Sequence, residues 1–146
     1  MTIFEALRND HDRQRSLLKI LVETSGDSTK RDETFKQLKH ELAIHADGEE
    51  RHFYVPLIEV SKTQDHARHG IAEHHEIDEL VKKLEITDYD SPAWLKYAKD
   101  LKEKVEHHLE DEEHTIFQLA GKVLTDVEKT NLAADYEKYI NSQRRK

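Results

Sequence analysis

Residues 45–56 read HADGEERHFYVP, and residues 108–117 read HLEDEEHTIF. Each stretch opens on a histidine and carries a glutamate four positions later, Glu49 or Glu112. A second glutamate follows (Glu50, Glu113), then a bulky apolar pair, Phe53-Tyr54 or Ile116-Phe117. The two stretches stand 63 residues apart, and the offset continues outward through His11/His74, Leu17/Leu80, Leu18/Val81, Leu21/Leu84, Leu38/Leu101 and Leu42/Val105. Self-similarity at a fixed period marks a repeated structural unit. The unit is a helix hairpin, because apolar residues recur at spacings of three and four, the period of one helical face.

Helical phase gives four long helices and a shorter fifth. The first runs from about Thr2 to Thr24, with Phe4, Leu7, His11, Gln14, Leu18 and Leu21 inward. Beyond the Ser25-Gly26-Asp27-Ser28 loop, the second starts near Lys30. It turns Phe35, Leu38, Leu42, His45, Glu49 and His52 or Phe53 inward, until Pro56 kinks or ends it. The third starts near His66, with Ile71, His74, Ile77, Val81 and Leu84 on one face. Ser91 as N-cap and Pro92 at the first helical position open the fourth. It carries Leu95 or Ala98, Leu101, Val105, His108, Glu112, Ile116 and Leu119 inward and stops at Gly121. Thr125 and Glu128 form a capping box for a fifth helix with Val127, Ala133, Tyr136 and Ile140 on its buried side. The expected fold is all-α: an antiparallel up-down four-helix bundle with a short additional C-terminal helix. It forms a single domain over 1–146, with hairpins at 1–60 and 64–121 and the last helix at 125–141.

Composition agrees with this and narrows the function. Charged residues make up 37% and hydrophobic residues 36% of 146, with four Gly and two Pro, which favours amphipathic helices over sheet. A net charge of −8 argues against nucleic acid and anionic membranes as partners. The absence of Cys excludes thiolate metal sites, disulfides and cysteine nucleophiles. The opening MTIFEALRNDHDRQ places charges where a signal peptide needs apolar residues, and no apolar run is long enough to span a bilayer. A soluble cytoplasmic protein is expected; nothing in the pattern sets its oligomeric state.

The chemistry lies in the repeated polar residues. On a helix, positions four apart lie on one face, so His45/Glu49 and His108/Glu112 each aim an imidazole and a carboxylate at one point. Both pairs, like His11 and His74, sit on inward stripes. Six donors from four helices therefore converge in the interior. Burying them uncompensated would cost about 3–5 kcal/mol per charge, and divalent cations supply the compensation. Imidazole and carboxylate without sulfur suit iron, manganese or zinc. The repeat suggests two ions, one near His11 and His45 and the other near His74 and His108, bridged by Glu49 and Glu112.

Residues 1 to about 120 resemble the hemerythrin-like, or HHE cation-binding, domain family. The resemblance rests on NDHD at 9–12, HADGEERHFYVP at 45–56, AEHHEIDEL at 72–80 and HLEDEEHTIF at 108–117. It implies a non-haem di-iron centre of two Fe ions with an oxo or hydroxo bridge, ahead of Mn or Zn. The implied metal ligands are His11, His45, Glu49, His74, His108 and Glu112. The implied function is binding of a small ligand such as O2, peroxide or NO, for storage, delivery or sensing. An oxidoreductase acting on peroxide or nitric oxide at the same site is the alternative. The oxygen carriers of the family place a second His four residues after the helix-three ligand, where this chain has Asp78. Either Asp78 or water would take that place, which opens the site and favours peroxide chemistry, nitric oxide binding or sensing. The helix-four spacing, HxxxE rather than the carriers' HxxxxD, points to the broader hemerythrin-like group.

Of the other histidines, His40, His66 and His69 are expected in solvent, and His75 and His107 off the inward stripe. His52 and His114 are candidates for a supporting or pocket role. Phe53, Ile77, Ile116 and Phe117 are expected in the core, and Tyr54, Trp94 and Tyr97 as packing residues with polar tips. Gly48, inside the first HxxxE, either is merely tolerated or leaves space beside the ions.

Overall fold

Local capping sets the helix starts. Thr2 accepts a hydrogen bond from the Glu5 amide while Glu5 accepts one from the Thr2 amide, opening α1 (Ile3–Glu23). Gly26, at φ 60°, turns the chain, and the Ser28 hydroxyl caps α2 (Thr29–Glu49). The short α3 (Val55–Ile58) leads to a bend where the Thr63 hydroxyl donates to the Leu57 carbonyl at 2.7 Å. That starts α4 (Gln64–Glu85) two residues ahead of the sequence expectation. Ser91 and Pro92 open α5 (Pro92–Asp111) as expected. The helical path continues through α6 (Phe117–Val123), past Gly121, whose surroundings are open and impose no stop. Thr125 and Glu128 form the expected capping box for α7 (Asp126–Arg144). The computed structural model describes residues 1–146; the chain is all-helical, with no strand, and no helix is long and apolar enough to cross a membrane.

Two five-residue π turns interrupt the unbroken α-helical phase that the spacing implies. They occupy Glu50–Tyr54 and Glu112–Ile116, immediately after Glu49 and beginning at Glu112. The Val55 amide donates to the Glu50 carbonyl, and the Phe117 amide to that of Glu112. A π turn adds one residue to a helical turn. It brings the fifth residue, as well as the fourth, over the inward face. Phe53 and Tyr54, and Ile116 and Phe117, are all buried as a result.

The core is divided into two apolar clusters. One gathers Ile3, Leu7, Phe53, Tyr54, Leu57, Ala67, Ile116, Phe117 and the α7 residues Ala133, Tyr136 and Ile140. The other gathers Leu17, Leu18, Leu21, Phe35, Leu38, Ile77, Val81, Leu84, Trp94, Leu101 and Val105. The polar residues His11, His45, Glu49, Glu73, His108 and Glu112 are buried in the sequence intervals between them. α1 packs on α2 and α5, α4 on α5, and α7 lies against α1 and α2. Val127 is 68% exposed, not buried as its spacing suggested, because α7 turns Ala133, Tyr136 and Ile140 inward instead.

Two glycines mark close approaches. A Cβ on Gly48 would stand 3.0 Å from Tyr139 and 3.1 Å from Tyr136, so this glycine makes room for α7. A Cβ on Gly70 would stand 2.9 Å from Cε2 of Tyr54 and nearer still to its hydroxyl. Gly→Ala inside a helix ordinarily stabilises by about 0.5–1 kcal/mol. Gly121→Ala is expected to follow that rule. Gly70→Ala is expected to reverse its sign, costing about 1–3 kcal/mol through overpacking against Tyr54. Urea unfolding of the two variants beside the parent checks both; a stabilised Gly70→Ala would show that Tyr54 does not occupy this space.

Candidate metal centre

Each of the four inward imidazoles is held by its Nδ1. His11 Nδ1 lies 2.6 Å from Glu113 Oε2, His74 Nδ1 2.9 Å from Glu50 Oε2, and His108 Nδ1 2.8 Å from Glu73 Oε1. His45 Nδ1 lies 2.6 Å from the Tyr136 hydroxyl, which donates to Asp10 Oδ2 at 2.5 Å. Carboxylates only accept, and the Tyr136 proton is committed to Asp10. The Nδ1 atoms therefore carry the protons, and in the neutral ring each Nε2 keeps a lone pair. These four Nε2 atoms, both Glu49 oxygens and Glu112 Oε1 are buried without hydrogen-bond partners.

The unpartnered atoms face one another. Glu49 Oε1 is 3.1 Å from His74 Nε2, and its Oε2 is 3.5 Å from His45 Nε2 and 3.9 Å from His11 Nε2. Glu112 Oε1 is 3.1 Å from His11 Nε2, and its Oε2 is 3.7 Å from His108 Nε2. Each carboxylate thus reaches toward both histidine pairs. The donors fall into two groups able to hold a cation, one of His11, His45, Glu49 and Glu112 and one of Glu49, His74 and His108. Lone pairs opposed at this range repel unless a cation or a proton lies between them. Without a metal the proton takes that place. Burial acts against charging His74, yet Glu49 and Glu50 raise its pKa to about 10. His11 is raised well above the ordinary value by Glu112, Glu113 and Glu49, again against burial. The donor set fits divalent cations of the imidazole–carboxylate type.

All six sequence-predicted donors are brought together, His74 with only 8% of its side chain exposed. Asp78 is not among them. Its side chain is 58% exposed and pairs with Lys82 at 3.1 Å, one turn along α4. His114 is exposed and His52 half-buried beside Tyr139, so neither supports a donor; the π turns give the inward positions to the apolar pairs instead. The supporting roles belong to Asp10, Glu50, Glu73, Glu113 and Tyr136. Asp10 and Glu73 share the 63-residue offset, as Glu50 and Glu113 do, and that recurrence was the available signal. Tyr54, read as a packing residue, donates its hydroxyl to Glu112 Oε2 inside the cluster. The α7 contribution has no counterpart in the repeat. Arg144 donates to Asp10 at 2.6 Å and to Glu41 at 3.0 Å. Burial disfavours the Asp10 carboxylate, but His45, Tyr136 and Arg144 together hold its pKa below the usual carboxylate range. A cavity of about 320 Å³ opens between α2 and α4 onto His45, His74 and His108.

The fold and the cluster define a class: an all-helical protein that gathers histidine and carboxylate donors in its interior. Within that class the chain belongs to the hemerythrin HHE cation binding domain family, whose profile matches residues 2–120. The crystal structure of a hemerythrin HHE cation binding domain-containing protein from Mycobacterium kansasii has the same fold. It is 24% identical, with a TM-score of 0.83, and the match covers 97% of this chain and 89% of that one. No curated protein sequence matches the chain.

Tyr136 lies beyond the family match, yet it carries the hydrogen bond of one imidazole. Tyr136→Phe leaves His45 Nδ1 and Asp10 short of a buried partner. The expected loss of stability is about 1–3 kcal/mol, read by urea unfolding of metal-free protein. A variant as stable as the parent would exclude a supporting role.

Proposed function

We propose that this chain is a di-iron protein that binds O2 or a related small ligand such as peroxide or NO, with His11, His45, Glu49, His74, His108 and Glu112 as its metal ligands. The observation that carries the reading is the set of seven buried, unpartnered donor atoms on these six residues. His11 and His45 would hold one ion and His74 and His108 the other. Glu49 and Glu112, each facing both pairs, would bridge them. When bound, the ions would supply open positions and redox electrons for a small ligand. The rest is the work of the protein: Nδ1 hydrogen bonds orient the rings, the two apolar clusters keep bulk water out, and the cavity between α2 and α4 admits the ligand.

We read the architecture as one domain, an antiparallel up-down four-helix bundle of duplicated hairpins (1–60 and 64–121) working in the cytoplasm, with α7 (Asp126–Arg144) as the C-terminal helix, ending beyond the expected 125–141. A redox activity toward peroxide or nitric oxide is the second reading. It is favoured by the outward position of Asp78, which leaves the His74 and His108 side with one fewer protein donor.

Protein loaded anaerobically with Fe(II) and desalted is expected to retain about two iron ions per chain, the number a paired donor set holds, and to melt at a higher temperature than metal-free protein. His45→Ala and Glu49→Ala are expected to lose most of that iron, whereas Asp78→Ala and His40→Ala keep it. Glu73→Gln, which weakens only the support of His108, should lower iron affinity about 10-fold or more. Iron content by elemental analysis and chelator competition measure these effects. A parent protein that takes up no iron and melts unchanged with added Fe(II) defeats the reading.

A further inference from the structure

Gln14 lies one turn beyond His11 on the same face of α1 and is 2% exposed. It lines the cavity that opens onto His45, His74 and His108. Its Nε2 is buried and has no hydrogen-bond partner. The other unpartnered buried atoms at the centre belong to the six donors already assigned, so this amide nitrogen is an additional polar atom left without a partner. Packing does not require it. The residue at the same place in the second half of the chain is Ile77, buried on the wall of the same cavity. Leu42 and Val81 extend that apolar lining. Lys39, Asp47, His75 and Asp78 also line the cavity, but outside the six donors Gln14 is the lining residue whose buried polar atom is left unpartnered, and a few placed polar groups are how small-molecule sites fix orientation and select their ligand.

We propose that the side-chain amide of Gln14 is the specificity-determining hydrogen-bond donor for a small anionic ligand held in this cavity against the centre. The inference rests on the reading of the cluster as a metal site. The ligand class is an anion of a few atoms with an acceptor at its outer end, such as azide, nitrite or deprotonated peroxide. A ligand lacking that acceptor gains nothing from position 14. Gln14 does not hold metal, so its removal affects the ligand and leaves the ions in place.

Azide titrated into iron-loaded, air-oxidised protein tests this, with affinity read from visible absorption and iron content measured on the same samples. Gln14→Leu removes the amide at similar volume. Gln14→Met, unbranched, guards against misfolding of the first variant. Both are expected to retain the parent's iron and bind azide about tenfold more weakly, the worth of one hydrogen bond, mainly through faster dissociation. Unchanged azide affinity at full iron content overturns the proposal, as does full iron content with no azide binding in the parent. Iron lost from the variants alone would make Gln14 part of the metal-holding set and also overturn it. A parent that takes up no iron removes the proposal together with the metal reading, an outcome separable from the others by the iron assay.

Discussion

The four Nδ1 hydrogen bonds, to Glu113, Glu50, Glu73 and the Tyr136–Asp10 pair, fix which edge of each imidazole faces inward. Once Nδ1 is committed, Nε2 can only turn toward the interior, where Glu49 and Glu112 wait with unpartnered oxygens. Such a layer is unstable without positive charge between its members, since leaving a buried ion unpaired costs about 3–5 kcal/mol. The two apolar clusters flank this layer and supply the hydrophobic stabilisation that tolerates it. Site and core are therefore one design: the same helices that bury leucine at either end present donors in the middle.

The duplication is close but broken at three places that matter. Tyr54, whose hydroxyl donates to Glu112, is matched by Phe117, which has none to offer Glu49. Gln14 is matched by Ile77. His45 is supported through a neutral phenol, whereas the other three imidazoles meet carboxylates directly. The first two are one-residue changes in polarity; in the third, Asp10 stands where the second half has Glu73, and Tyr136 of α7 bridges it to the imidazole. Together they make the two histidine pairs chemically unequal: Glu49 keeps both oxygens free while Glu112 has one engaged by Tyr54.

Much of this was legible in the residues. The 63-residue offset and helical phase placed all six donors on inward faces, and the geometry brings them within reach of one another. The caps at Thr2, Ser91 and Thr125 were readable because capping uses local side-chain chemistry. The π turns were not, because an extra residue in a helical turn has no side-chain signature of its own. Phe53-Tyr54 and Ile116-Phe117, adjacent apolar pairs where an α-helix buries one residue, were the indirect trace. The supporting shell is less legible still: His52 and His114, candidates by their nearness to the donors, lie off the site, and the carboxylates Asp10, Glu73, Glu50 and Glu113 take the supporting places. Gly48 was weighed against the ions, but its constraint comes from α7, a contact 91 residues distant between Tyr139 and Gly48 that no local pattern records.

That contact leads to the part α7 plays. The family match ends at residue 120, before α7 begins. Yet without α7, Asp10 would lose both Tyr136 and Arg144, and Glu41 would lose Arg144. A buried carboxylate stripped of partners is a cost of its own, and His45 would keep only Asp10, 3.8 Å away. The helix instead inserts a phenol into that gap and closes it with a guanidinium that pairs two acidic residues from α1 and α2. Arg144 stands in the last turn of α7, so the ordering of that turn is tied to the ordering of an imidazole in the interior. The fifth helix is thus a structural part of the centre: it replaces, with a phenol–carboxylate relay, the direct carboxylate that each of the other three imidazoles finds within the helices before it.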